Sequence, residues 1–152
     1  MEIFFRILIA AALGAAIGFE RERSKKSAGL RTNALVAMGA ALLTVISLSF
    51  GGPGADPSRI ISNIVVGIGF IGGGAILREG PRISGITTAA TLWVVAAIGI
   101  AVGMGFYREA IFSVAVVYFI LTILWLIEKK VGKKMIYPSL RSDRSEENHG
   151  EL

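Results

Sequence analysis

Apolar residues run almost unbroken through five stretches, about 3–20, 33–50, 60–77, 86–105 and 109–127, and the charged residues gather between and after them. Each stretch is long enough to be a transmembrane helix. At about 1.5 Å per residue, a helix of about 18 residues covers about 27 Å, close to the ~30 Å hydrocarbon core of a bilayer. All four prolines, Pro53, Pro57, Pro81 and Pro138, fall between or after these stretches, where no helical hydrogen bond is lost. The pattern predicts an all-α, polytopic helical membrane protein with about five transmembrane helices, filling residues 1–127. Residues 128–152 are polar and carry both signs of charge, the composition of a mobile tail that cannot bury a core.

The charges orient this bundle. Apart from Arg6, Arg59 and Arg108, every lysine and arginine lies on one side: in the first loop (Arg21, Arg23, Lys25, Lys26, Arg31), in the third loop (Arg78, Arg82) or in the tail. Basic loops stay cytoplasmic, so the N-terminus is expected outside and the tail inside. A cleaved signal peptide would carry its positive charge before the first apolar stretch, whereas here the charge follows it. The fourth and fifth stretches are separated only by Phe106, Tyr107 and Arg108, which leaves a single re-entrant unit as the alternative for that pair.

Composition then removes whole classes of chemistry. Hydrophobic residues make up 53% of the chain, too many for a soluble domain to hide. Cysteine is absent and His149 is the one histidine, so no thiolate, zinc or haem site can be built. No nucleophile–base pair is visible either, and the chain reads as a non-enzyme without cofactor or metal site. The net charge of +5 flanks the spans, so topology accounts for it before any contact with nucleic acid does. Every Asp and Glu falls at the end of a span, in a loop or in the tail, and none lies at depth, where a cation path or proton relay would want one. The string from Gly67 to Gly72 matches the GxGxxG dinucleotide fingerprint, but it sits in an apolar, membrane-length segment with no strand before it.

Close helix packing is the better reading of the glycines. Gly14/Gly18, Gly69/Gly73 and Gly99/Gly103 recur four apart, each pair on one helix face, where small residues let backbones approach. Gly67, Gly72 and Gly74 add to the same expectation. In the first span, Ala11, Gly14, Ala15, Gly18 and Glu22 share a face; in the third, Arg59, Asn63, Gly67, Phe70 and Gly74 do, with Arg78 following. Asn63 is costly against lipid and is expected to point into the bundle. Thr87, Thr88 and Thr91 cluster at the start of the fourth span, where their hydroxyls can bond carbonyls of the preceding turn.

Five segments, Gly18–Glu22, Ala28–Thr32 with Ala34-Leu-Val, Asp56–Ile60, Gly67–Gly72 and Gly85–Trp93, resemble in order and spacing the successive motifs of the MgtC/SapB family. The resemblance covers residues 1–127. It implies a bacterial inner-membrane protein of about five helices with a cytoplasmic C-terminus, linked to magnesium homeostasis and stress adaptation, of unsettled molecular activity, for which direct contact with other membrane proteins is one proposed mode. By motif match it singles out Glu20, Arg21, Glu22, Arg31, Thr32, Asp56, Arg59, Thr87, Thr88 and Trp93. Arg31 beside Glu20 or Glu22 could form an ion pair, as could Asp56 with Arg59, or Asp56 could cap the third span. The polar tail stands where longer members carry an ACT-like domain, which points to the short, SapB-like form. Two readings follow. One is an accessory or regulatory protein in the bilayer, acting through helix–helix contacts as a homo-oligomer, a dimer favoured, or with another membrane protein. The other is an oligomeric small-solute or ion transporter with Arg59, Asn63, Gly67, Gly74, Arg78, Thr87 and Thr88 along its path.

Overall fold

The computed structural model of the chain describes residues 1–50, 56–79, 81–127 and 130. The expected mobile tail, 128–152, lies outside the described residues except for Lys130. The elements are α1 (Glu2–Arg23), α2 (Leu30–Ser49), α3 (Ser58–Gly74), β1 (Leu77–Glu79), β2 (Arg82–Ser84), α4 (Ile86–Met104) and α5 (Tyr107–Phe119), the last running into a π-helical turn at Ile120–Leu124. The protein is an all-α polytopic membrane protein in architecture. Among the described residues, four helices are long and apolar enough to cross a membrane: Glu2–Arg23, Leu30–Ser49, Ile86–Met104 and Tyr107–Ile127. The third expected span is a shorter apolar helix of 17 residues.

That shortening corrects the boundary at 77. The helix ends where Gly72, Gly73 and Gly74 weaken helix propensity, and Ala75 N–H turns back to the Gly72 carbonyl at 3.1 Å. The chain then makes a β-hairpin that the apolar pattern does not announce. Leu77 pairs with Ser84, Arg78 with Ile83 and Glu79 with Arg82, antiparallel. The hairpin closes at Gly85, which adopts φ +89° with its α-carbon against the Ala75 carbonyl; any side chain there would collide with backbone. Gly85 is also the N-cap of α4, so the hairpin delivers α4 beside the end of α3.

The chain divides into two compact units, Met1–Val117 and Tyr118–Leu152. In the first, α2 packs against α1, α4 and α3, and α4 in turn packs against α2, α3 and α1. Contact with α1 and α4 is close because of glycine. A Cβ on Gly14 would lie 2.5 Å from the Asn33 carbonyl oxygen and 2.7 Å from Ala37 Cβ; one on Gly18 would lie 2.6 Å from Leu30 Cα. On the other side of α2, Gly99 abuts the Ala37 carbonyl and Ala40, and a Cβ on Gly103 would lie 2.7 Å from Thr44 Cβ. The helix α3 buries Ile68 and Gly72, with Ile61, Ile64 and Ala75 partly covered, against Leu92, Ala96 and Ile100 of α4. Within the first unit, α5 buries only Ala110. In the second, Tyr118–Ile127 is helical through the π turn.

Candidate functional site

Two features carry the candidate residues: a polar cluster at the end of the bundle where α1 finishes and α4 begins, and the outer face of α3. The cluster starts from the way α1 stops. Lys25 takes a left-handed φ of 54°, unusual for a residue with a side chain. With it, Lys25 N–H bonds the Glu22 carbonyl at 3.0 Å and Lys26 N–H bonds the Arg21 carbonyl at 2.9 Å. This is the Schellman pattern of helix termination, and it fixes Lys26 beside the last turn.

In that turn Glu20 and Arg21 are both buried, Arg21 at 3% exposure. The guanidinium reaches across to α4, donating from Nη2 to Thr88 Oγ1 at 3.4 Å, and its Nη1 lies 3.8 Å from Glu20 Oε2. Ser24 Oγ donates to Glu20 Oε1 at 2.7 Å. Arg21 Nε and Glu20 Oε2 have no hydrogen-bond partner among the described residues. Arg21, Lys26, Gly85, Thr87 and Thr88 line a cavity of about 260 Å³ with Ile83 and Ile86.

Glu22 and Arg31 take other roles. Glu22 turns from the expected shared face and accepts the Leu30 N–H at 2.9 Å, covering the start of α2, which has no side-chain cap of its own. The buried face of α1 is instead Ala10, Gly14, Ile17, Gly18, Glu20 and Arg21. Arg31 and Thr32 are exposed, and among the described residues Arg31 forms no ion pair with Glu20 or Glu22, whose carboxylates are engaged at Ser24 and at Leu30 N–H. Thr32 and Gly74 line a second cavity of about 280 Å³, with Ala28, Ala75 and Leu92. Thr91 Oγ1 donates back to the Thr87 carbonyl at 2.7 Å. Trp93 is half exposed on the outside of α4.

At the opposite end, Asp56 Oδ1 accepts from both Ser58 N–H at 3.0 Å and Ser58 Oγ at 2.6 Å. These two bonds, and after them the nearby Arg59 charge, hold the Asp56 carboxyl below its usual range. Asp56 therefore caps the start of α3, and it makes no salt bridge with Arg59. The start of α3 is tied to α2 by Ser47 Oγ, which donates to the Pro57 carbonyl at 2.6 Å.

Along α3 the expected inward face points out. Asn63 is exposed, and its amide has no partner among the described residues. Phe70 is 88% exposed. Nothing lies within 4 Å of a Cβ built on Gly67, Gly69, Gly73 or Gly74, so a side chain at these positions would meet open space; of the α3 glycines, Gly72 stands against α4, at Ala89. The helix turns Ile61, Ile64 and Ile68 to Leu92, Ala96 and Ile100 of α4, a broad surface that these side chains match. Asn63 and Gly67 instead line an open groove of about 570 Å³ between α3 and α2, walled by Leu35, Val36, Leu43 and Ile64.

Sequence reasoning passed over Asn33 and Arg6. Asn33 is fully buried at the α1–α2 contact, where its Nδ2 donates to the carbonyls of Ala28 and Gly29 at 2.9 and 2.8 Å. Its place within the motif-like segment 28–36 is the one signal that marks it. Arg6 donates from Nη1 to the Gly103 carbonyl at 2.7 Å, closing the last turn of α4, and pairs with Glu2 at 2.6 Å.

Comparison with known proteins completes these observations. The MgtC family model matches residues 7–130. The chain is 45% identical over 119 residues to a protein of Escherichia coli (strain K12) named "Putative magnesium transporter YhiD", covering 74% of this chain and 55% of that one. It is 46% identical over 111 residues to Protein MgtC of Salmonella typhimurium (strain LT2), covering 73% of this chain and 47% of that protein. An uncharacterized protein of Synechocystis, slr0014, is 46% identical over 110 residues, covering 72% and 47%. The chain thus spans about half the length of the curated relatives it matches. No solved structure matches it.

Proposed function

The chain belongs to the MgtC family, and on that premise we infer that it is a non-enzymatic accessory protein of the bacterial inner membrane, acting through contacts between helices within the bilayer. The family relationship supports a magnesium-related membrane role. The observation that carries the mode of action is the outward face of α3. An unpaired amide in hydrocarbon is costly, and Asn63 stands in a groove that is otherwise apolar. Exposed glycines at Gly67, Gly69, Gly73 and Gly74 flank it, the surface on which a second helix can approach closely. A second copy of this chain, as a dimer, supplies both a complementary glycine face and an amide partner. The basic loops after α1 and after α3 support a cytoplasmic side for the end of the bundle where α1 finishes and α4 begins.

The chain has no cysteine of its own, so single cysteines report contacts cleanly. Val66→Cys, on the outer side of α3, is expected to form a disulfide dimer in native membranes, and Leu8→Cys on α1 is not. Adding Asn63→Leu should reduce the Val66 cross-link. Monomer alone in both backgrounds, with no partner captured by a photo-cross-linker at residue 66, refutes the reading.

The name of the YhiD relative favours a second reading, transport of magnesium. Groups of three or more His, Cys, Asp or Glu able to hold a metal do not occur among the described residues, so a path would be built from oxygens of more than one copy. Saturable Mg²⁺ flux in proteoliposomes, lost in Asn63→Leu, would favour this reading over the first.

A further inference from the structure

The cavity between the end of α1 and the start of α4 brings together more positive charge than the described residues satisfy. Gly85 caps α4 with backbone only, and among the described residues no side chain caps the start of the helix. The N–H groups of Ile86, Thr87 and Thr88 therefore have no intrahelical acceptor and carry the positive end of the helix dipole. Arg21 lies across this terminus. It is 3% exposed, and of its five donors the Nε has no partner, Nη2 makes a long 3.4 Å bond to Thr88, and Nη1 faces Glu20 at 3.8 Å. Glu20 does not line the cavity, and Glu22 is engaged at Leu30 N–H. Lys26 is held at the rim by the Schellman turn described above. The hydroxyls of Thr87 and Thr88 complete a lining of donors.

We propose that this cavity binds a phosphate-class oxyanion. Its oxygens would accept from the open amides at the start of α4, from the Thr87 hydroxyl and from the unused donors of Arg21, with Lys26 closing the rim. A helix N-terminus alone attracts anions weakly; here a buried guanidinium stands at the same spot with its Nε unpartnered and only a long, 3.8 Å ion pair to Glu20. The oxyanion can be free phosphate or the phosphate of an anionic lipid head group, since the site stands at the end of the bundle. It does not depend on the α3 contacts inferred above.

The test uses the full chain in nanodiscs of phosphatidylcholine, titrated with inorganic phosphate against chloride at constant ionic strength and followed by calorimetry and by the unfolding midpoint. Saturable binding is expected, weakened about tenfold by Lys26→Gln, as the loss of one charge-assisted hydrogen bond implies. Lys26 is exposed, so that variant should fold; Arg21→Gln should abolish binding where it folds. Arg23→Gln removes the same charge outside the cavity and should bind as the parent does. In nanodiscs containing phosphatidylglycerol, native mass spectrometry counts the retained lipid. Retention that falls in Lys26→Gln and blocks inorganic phosphate assigns the site to a head group; phosphate binding that the lipid leaves unchanged assigns it to the free ion. The proposal fails if neither phosphate nor lipid binds saturably, or if Arg23→Gln and Lys26→Gln weaken binding equally.

Discussion

Adding one methyl group should have opposite consequences on the two kinds of glycine in this bundle. At Gly14 a Cβ would stand 2.5 Å from the Asn33 carbonyl oxygen and 2.7 Å from Ala37 Cβ, and at Gly99 it would meet the Ala37 carbonyl and Ala40. Carbon atoms in good contact sit about 3.5–4.0 Å apart, so α2 would have to move away by roughly 1 Å on either side. The obstructing atoms are backbone or Cβ and have no rotamer with which to yield. Overpacking of this kind costs about 1–3 kcal/mol, against a gain in helix propensity of about 1 kcal/mol for Gly→Ala. Gly67 and Gly73 meet nothing within 4 Å, so Gly67→Ala and Gly73→Ala keep the propensity gain without the clash. The two sets should differ by about 2 kcal/mol, or roughly 30-fold in the unfolding equilibrium. Reversible unfolding by SDS in mixed micelles, dilute enough to keep the protein monomeric, measures the difference. If Gly73→Ala costs as much as Gly14→Ala, the outer face of α3 is packed within the monomer, and the reasoning about that face is wrong.

Three further outcomes follow from individual contacts. Asn33→Ala removes both bonds to the Ala28 and Gly29 carbonyls at the α1–α2 contact and should cost about 1–3 kcal/mol in the same assay, with faster amide exchange at the start of α2. Arg6→Met opens the last turn of α4 at Gly103 and should cost about 1 kcal/mol, with Arg6→Lys recovering part of it. The Asp56 carboxyl, lowered by its Ser58 bonds, contributes stability above the ordinary Asp range and loses it as pH falls through its depressed value; NMR titration should show a midpoint below that of an unstructured Asp, and Asp56→Asn should remove this low-pH dependence.

The spans were legible because nearly unbroken apolar stretches of membrane length allow few alternatives, and α1, α2 and α4 follow them closely. The hairpin after α3 was not, since strands of three residues carry no usable period, Leu77 reads as the end of the third span and Ile83 falls in the loop after it. The polar cluster was half legible. Motif resemblance picked out Glu20, Arg21, Thr87 and Thr88, which do come together, yet it could not separate Glu20 from Glu22. Two residues along a helix is a rotation of about 200°, enough to send one carboxylate to the buried ion pair and the other to the start of α2.

The orientation of α3 shows where pattern reasoning stops. A helix with glycines along one side and isoleucines along another offers two ways to pack: close backbone approach through the glycines, or larger apolar burial through the isoleucines. Hydrophobic burial between helices vanishes in lipid, where only the match of surfaces decides. On α1 and α4 the glycines face α2, because α2 offers Ala37, Ala40 and Ala41 in return, and small against small brings the backbones together. The partner of α3 is the broader surface of Leu92, Ala96 and Ile100 on α4, which suits Ile64 and Ile68 better than glycine. The glycine face is thereby left over, together with Asn63. A face of that kind gains its close approach only from another helix with small residues, and α3 of a second copy carries one. The same four-residue spacing thus serves the fold on α1 and α4 and is free for association on α3, a distinction set by the residues opposite and not by the glycines themselves.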